Sequence, residues 1–333
     1  MTPAFDPSTL TMTELIRLQT VLSHELARRF ERVVALVFTD IVDSTAYFAQ
    51  YGDEAGRRLQ QLHLDLLEQV LAAFGGRLVD TAGDGAFAWF ASAQAAAQAM
   101  TALQNAVSRD NQNPPRAHPL CVRIGVHWGH VLTDGVQVTG DAVNLCARLV
   151  ATAQPGEIRL SRDAFQELDA ELRRLCRPLG PVGLKGIARA VESMALQWRD
   201  PARFPSELRV RESGERIVLP PRDVVCFGRG ETVDVTTNHD VVLGLPNVLA
   251  AKQISRRHFE LRARAEGYVL KALSSQPTSV DGVALQREQE APLRPGSCVQ
   301  LAGVMTLDFV SPSLHDEGAI DETLCGPGVL PIG

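Results

Sequence analysis

Asp40 lies in Phe38-Thr39-Asp40-Ile41, and Asp84 lies in Thr81-Ala82-Gly83-Asp84-Gly85. Each carboxylate follows a short apolar run and falls at or just past the end of a predicted strand. Two carboxylates so held present hard oxygen ligands, and they suit a pair of divalent cations set against a triphosphate. A third segment runs Gly140-Asp141-Ala142-Val143-Asn144-Leu145-Cys146-Ala147-Arg148. It reads as a helix on which an amide and a guanidinium, one turn apart, share a face. A single aspartate after a strand is usually a turn or cap residue. The joint pattern and its order along the chain outweigh that bland reading of each residue alone.

Those residues need elements to hold them. Val33 to Ile41 reads as a strand, and Asp53 to Phe74 as a helix stopped by Gly75-Gly76. Arg77 to Thr81 and Ala86 to Phe90 read as strands around the tight Gly83-Asp84-Gly85 turn. Ser92 to Val107 is Ala-rich and helical, and Asn111 to Pro119 is a loop of Asn and Pro. A strand over Cys121 to Val131, a helix over Asp141 to Thr152, a strand over Glu157 to Leu160 and a helix near Ala164 to Leu175 follow. The mixture predicts an α+β sheet with helices on one face. Ahead of it, Leu15, Leu18, Leu22 and Leu26 recur at helical steps. That amphipathic helix either lies on the following domain or pairs with a second chain as a short parallel coiled coil.

Arg199 to Pro205, with two prolines and little periodicity, marks a linker. Beyond it, short strand-like runs separated by Gly- and Pro-containing turns predict an all-β sandwich. The expected organisation is an N-terminal helix over 1–32, an α+β domain over 33–198, a linker over 199–206, a sandwich over 207–311 and a tail over 312–333.

Composition narrows the function classes. The chain of 333 residues is long enough for two cores, and its formal net charge is -6. With no long basic run, nucleic-acid binding through a phosphate-tracking patch is disfavoured. No apolar stretch is long enough to cross a bilayer, and the first residues lack a signal-peptide pattern. The six cysteines are scattered without a Cys-x-x-Cys pair. They read as reduced thiols in a cytoplasmic protein rather than as zinc ligands or a disulfide framework.

The three segments around Asp40, Asp84 and Asn144/Arg148 resemble the catalytic domain of class III nucleotidyl cyclases, over roughly residues 33 to 198. Those enzymes convert ATP or GTP into the 3',5'-cyclic nucleotide and pyrophosphate. The resemblance implies a ferredoxin-like α+β fold and two metal ions, Mg or Mn, held by Asp40, Asp84 and the Ile41 carbonyl. It also implies that Asn144 orients the ribose and that Arg148 stabilises charge around the α-phosphate. Lys185, in Val182-Gly183-Leu184-Lys185-Gly186, corresponds to a lysine on the terminal phosphates. In the family the metal aspartates come from one subunit and the Asn, Arg and Lys from the other, so a head-to-tail homodimer is implied.

At the family's two base-reading positions stand Asp80 and Gln137, where adenylyl cyclases commonly place Lys and then Asp or Thr. An ionised Asp80 accepts but does not donate, so it suits guanine N1–H and the exocyclic amine, with Gln137 donating to O6. Gln137 alone could instead read adenine, using both its donor and its acceptor. ATP and GTP both stay open.

Residues from about 207 to 310 resemble a forkhead-associated domain, a phosphothreonine-peptide reader. The resemblance is carried by Phe227-Gly228-Arg229, by Ile254-Ser255-Arg256-Arg257-His258-Phe259 and by the block from Ser274 to Gly282. It implies phosphate ligation by Arg229 and Ser255, with His258 as scaffold. Ser275 replaces a common Thr and keeps the hydroxyl. Gln276 and Pro277 replace Asn-Gly, which alters the peptide grip. The partner so implied is a threonine-phosphorylated protein. The rival class is a non-enzymatic scaffold that binds nucleotide at one end and phosphoproteins at the other.

Overall fold

The computed structural model describes residues 8, 10–112, 118–187, 189–229, 240–245, 247–264 and 266–310. The expected tail over 312–333 and most of the expected 111–119 loop lie outside the described residues. The chain divides into two compact units, residues 1–198 and 199–333.

In the first unit the elements are α1 (Met12–Phe30), β1 (Glu31–Ile41), α2 (Ser44–Phe74), β2 (Arg77–Ala82), β3 (Gly85–Phe90), α3 (Ala93–Gln112), β4 (Val122–Thr133), β5 (Val138–Thr139), α4 (Asp141–Ala151), β6 (Ile158–Ser161), α5 (Arg162–Gln166), α6 (Ala170–Arg174), β7 (Cys176–Val182) and β8 (Val191–Leu196). The main sheet runs β2-β3-β1-β4-β6-β8-β7, with β5 paired to β4. β1 is an interior strand, antiparallel to both β3 and β4.

Strand alternation sorts β1 between two cores. Ala35, Val37 and Ile41 join Leu67 and Leu71 of α2 and Ala96, Met100 and Leu103 of α3 in the larger core. Val34 and Leu36 point the other way, to Phe87, Val131 and Cys146. Helices α2 and α3 thus cover one face, and α4 lies across the opposite one.

Helix α1 opens on a capping box in which Thr11 and Glu14 exchange hydrogen bonds. None of its residues is buried, and Leu15, Ile16, Leu22 and Leu26 remain exposed. Helix α2 is longer than its sequence suggests. Gly52 (φ 82°, ψ 169°) kinks it, so the periodic pattern resumes only at Asp53 and hides the turns from Ser44 to Tyr51. The expected single helix near 164–175 is two short ones, α5 and α6. Asp169 breaks them by capping α6 through a bond from Leu172 N.

The second unit carries β9 (Glu207–Val210), β10 (Arg216–Val218), β11 (Val224–Arg229), β12 (Val241–Leu243), α7 (Val248–Ala251), β13 (Phe259–Arg264), β14 (Gly267–Ala272), β15 (Thr278–Val280), β16 (Val283–Leu285), β17 (Glu290–Leu293), β18 (Cys298–Leu301) and β19 (Met305–Val310). One sheet runs β10-β9-β19-β18-β15-β16 and the other β12-β11-β13-β14-β17. Residues of both share one core, including Val210, Leu307, Phe309, Phe227, Phe259 and Leu270. This is the expected sandwich. Among the described residues, no helix in either unit is long and apolar enough to cross a membrane.

Candidate functional site

Asp40 is the penultimate residue of β1, and its side chain shares the α4 face with those of Val34 and Leu36. Its cross-strand partners are Gly85 on β3 and Arg123 on β4. Asp84 immediately precedes Gly85 in the β2–β3 turn, which Gly83 closes at φ +63°. The two residues therefore stand on neighbouring backbone positions at the same end of the sheet. Ser44, the first residue of α2, donates to Asp84 Oδ2. The chain reaches Ser44 through Asp43, held in the left-handed region at φ 58°. Behind the turn, His63 of α2 is 3% exposed. Burial depresses its pKa to about 4, against the charge and backbone hydrogen bond of Asp84.

Among the described residues, no cluster of three or more His, Cys, Asp or Glu side chains is poised to hold an ion. Two carboxylates, a backbone carbonyl and phosphate oxygens form the ligand set that Mg favours over an all-protein cage. The residues present fit that kind of ion.

Asp80 reaches its position through a β-bulge. The β2–β3 register shifts between Leu78 and Asp80, so Leu78 lies opposite Ala88 and Asp80 opposite Phe87. Without the extra residue, alternation would set Asp80 opposite Ala86, on the face covered by α2 and α3. With it, Asp80 joins Asp40, Arg123 and Gln137 around a cleft of about 870 Å³. Phe38 and Phe87 stack at 4.5 Å between centroids and line the same cleft, with Val79 and Val143. Asp80 Oδ1 accepts from Thr81 N at 2.8 Å. Gln137 is positioned by the Asp134 turn, where Asp134 Oδ1 accepts from the backbone N–H groups of Val136 and Gln137.

Asn144 and Arg148 lie on the other flank of α4. They line a second cleft of about 860 Å³ with His127, His130, Asp163 and Gly186. Arg148 packs against the loop carrying Lys185, since a Cβ on Gly186 would lie 3.1 Å from Arg148 Nη1. His127 is buried and bonded to Ser161 Oγ through Nδ1 at 2.8 Å. Burial lowers its pKa, with Asp163 opposing. One chain thus brings Asp40, Asp80 and Gln137 to one cleft, and Asn144, Arg148 and the Lys185 loop to another.

Sequence reasoning missed Arg123, which donates from Nε to Asp40 Oδ2 at 2.6 Å. It also missed Ser44 beside Asp84. Their signal lies in the sheet register and helix placement, which local motifs do not carry.

In the second unit, Arg229 N donates to Ser255 O at 3.0 Å, and Arg229 Nη1 donates to Lys252 O at 3.0 Å. Arg229 and Ser255 are therefore neighbours. Ser255 Oγ lies 2.6 Å from Ser274 Oγ, which also accepts from Gln276 N at 2.9 Å. Ser274 is thus the hydroxyl tied to Ser255, while Ser275 and Gln276 are exposed. His258 is fully buried; its Nδ1 accepts from Ser255 N at 3.1 Å, and its Nε2 pairs with Thr278 Oγ1 at 3.1 Å.

A sequence model of the adenylate and guanylate cyclase catalytic domain matches residues 27–197, and one of the FHA domain matches residues 225–302. A putative adenylate cyclase 3 of Rhizobium meliloti is 25% identical over 226 residues, covering 64% of this chain and 38% of that protein. An adenylate cyclase of Podospora anserina is 31% identical over 169 residues, covering 44% of this chain and 8% of its own length. The chain therefore spans well under half the length of these relatives. The solved adenylate/guanylate cyclase/hydrolase of Silicibacter pomeroyi is 28% identical, with a TM-score of 0.45, covering 50% of this chain and 97% of that one. With the cyclase match extending over more than half of its 333 residues, the chain belongs to the adenylate and guanylate cyclase catalytic-domain family and carries an FHA domain behind that domain.

Proposed function

We propose that the chain cyclises a purine nucleoside triphosphate to the 3',5'-cyclic monophosphate and pyrophosphate. The supporting observation is the pairing of Asp40 with Gly85, which brings the backbone of Asp40 beside the turn residue Asp84 at one sheet end. Family members depend on metal. Here Asp40, Asp84 and the Ile41 carbonyl would hold Mg or Mn, two ions per site, whose charge favours the 3'-alkoxide and neutralises the triphosphate. The 3'-hydroxyl gives its proton to solvent, its oxygen bonds to the α-phosphorus, the bond from that phosphorus to the oxygen bridging to the β-phosphate breaks, and pyrophosphate leaves with that electron pair. Asn144 orients the ribose by hydrogen bonding. Arg148 stabilises charge on the α-phosphate, and Lys185 neutralises the terminal phosphates.

The active unit is a head-to-tail homodimer. In its favour, Asn144 and Arg148 line a different cleft from Asp40, which suits sites completed by a second copy. The exposed apolar stripe of α1 suits parallel pairing of the two N-terminal helices. The Phe38–Phe87 stack gives the base an apolar floor. Asp80 and Gln137 at its rim match guanine, whereas the similarity to adenylate cyclases favours ATP.

The FHA domain binds a threonine-phosphorylated protein through Arg229 and the linked Ser255–Ser274 hydroxyls, and this docking localises or regulates the cyclase. An unchanged affinity for phosphothreonine peptides in Arg229→Ala would refute that part. The enzymatic reading is tested by incubating the full chain with Mn and either ATP or GTP, then separating the products chromatographically. Cyclic nucleotide that vanishes in Asp40→Ala supports it. Absence of product from both nucleotides favours the non-enzymatic scaffold.

A further inference from the structure

The guanidinium of Arg123 sits between the two halves of the machinery. Arg123 lies directly opposite Asp40 on the β1–β4 ladder, so both side chains project from the same face. Its Nε donates to Asp40 Oδ2 at 2.6 Å, and Nη2 approaches that same oxygen at 2.5 Å. The third nitrogen, Nη1, donates to Ala151 O at 3.3 Å. Ala151 is the last residue of α4, one turn beyond Arg148. The cation thus also sits at the negative end of that helix.

The pairing is one-sided. Arginine and carboxylate commonly meet as a fork, each nitrogen taking its own oxygen. Here both donors converge on Oδ2, and the other cross-strand neighbour of Asp40 is Gly85, which has no side chain. Among the described residues, the hydrogen bond and the ion pair on Asp40 fall on Oδ2, which leaves Oδ1 for another ligand. The pair is also partly shielded from water, with side-chain exposures of 32% for Arg123 and 24% for Asp40. Its electrostatic effect is correspondingly less screened than that of a surface ion pair.

We infer that Arg123 is a positioning residue that claims one oxygen of Asp40, leaves the other for the divalent cation, and sets the affinity for that cation by its own fixed charge. It also tethers the metal-ligand strand to the end of the helix carrying Asn144 and Arg148. A lysine has a single nitrogen and cannot make both links at once. Charge and geometry are therefore separable by substitution. This inference rests on the assignment of Asp40 as a cation ligand.

The experiment titrates Mn alone, without nucleotide, into the full chain and reads free Mn by electron paramagnetic resonance. Arg123→Met removes the charge while keeping bulk, and the Mn dissociation constant is expected to fall at least about tenfold. Arg123→Lys keeps the charge, so Mn affinity is expected to stay within about threefold of wild type, while turnover falls because the tether to Ala151 is lost. Arg123→Gln, a neutral donor, should follow Arg123→Met and serves if the methionine variant does not fold. Equal or weaker Mn binding in a folded neutral variant overturns the inference, as does a lysine variant that binds Mn as tightly as the neutral ones. Asp40→Asn is the separate control. If it binds Mn as wild type does, the assignment of Asp40 itself has failed, and the role of Arg123 falls with it for that distinct reason.

Discussion

Gly125 on β4 lets α4 approach the sheet, and its replacement by alanine is the sharpest structural perturbation of the site. A Cβ there would lie 2.8 Å from Val150 N, 3.0 Å from Val150 Cα and 3.0 Å from Val150 Cβ. Carbon contacts settle at about 3.5–4.0 Å, so α4 must retreat by roughly 0.5–1 Å. The obstacle is helix backbone, which no rotamer change relieves. Overpacking of this kind costs about 1–3 kcal/mol. At about 2–4 °C per kcal/mol for a unit of this size, the melting temperature should fall by about 2–12 °C. Turnover should fall further than stability suggests. Asn144 and Arg148 ride on α4, and a misplacement of about 1 Å can cost about a hundredfold. The assay pairs thermal unfolding by circular dichroism with cyclic-nucleotide formation well below the melting temperature. Gly244→Ala is the control, because nothing lies within 4 Å of its added Cβ. Wild-type melting and turnover in Gly125→Ala would refute the claim that α4 is held at contact distance and that its position matters.

Arg148→Ala should lower kcat by about 10²–10³ with a smaller change in KM, since its charge acts on the transition state; single-turnover kinetics check this. Asp80→Lys should move selectivity toward ATP, because a lysine donates to adenine N1 where the carboxylate cannot; competition between ATP and GTP reads the shift, and unchanged selectivity would remove Asp80 from base reading. In the FHA domain, burial depresses His258 to about 4. The fold therefore favours the neutral ring, whose Nδ1 must accept from Ser255 N. The unfolded chain takes up the proton first, near pH 6.5, so this stability is complete above that pH and is lost as pH falls toward about 4. The loss is on the order of 2–3 kcal/mol. Hydrogen exchange in β13 and β14, corrected for intrinsic rates, should show protection falling across that window; a flat profile would contradict it.

Much of the fold is legible because short-range physics sets it. The apolar run before Asp40, the Gly75-Gly76 stop of α2 and the periodicity of α4 each mark an element directly. In the sandwich, β9, β11 and β13 stand out as strand-like runs between turns. What was not legible depends on partners distant in sequence. The three residues of β15 and of β16 make sense only against β18 and one another. Gly52 hides the first turns of α2, because a local pattern cannot distinguish a kink from a start. The Leu78/Asp80 register shift decides which face Asp80 occupies, yet Leu78-Val79-Asp80 contains no residue that announces a bulge. Arg123 reads as one more polar residue in an alternating strand until the β1–β4 register brings it opposite Asp40.

The most direct test of the account mixes two inactive proteins. Asp40→Ala should lack the cation ligand but keep Asn144 and Arg148; Arg148→Ala should lack the guanidinium but keep both carboxylates. If the reaction occurs at a site shared by two copies, mixed dimers hold one intact site each. Equal mixing should then restore about a quarter of wild-type cyclic-nucleotide formation, because about half the dimers are mixed and one of their two sites is whole. A mixture as inactive as its components, when subunit exchange has been verified by native mass spectrometry, would contradict the account.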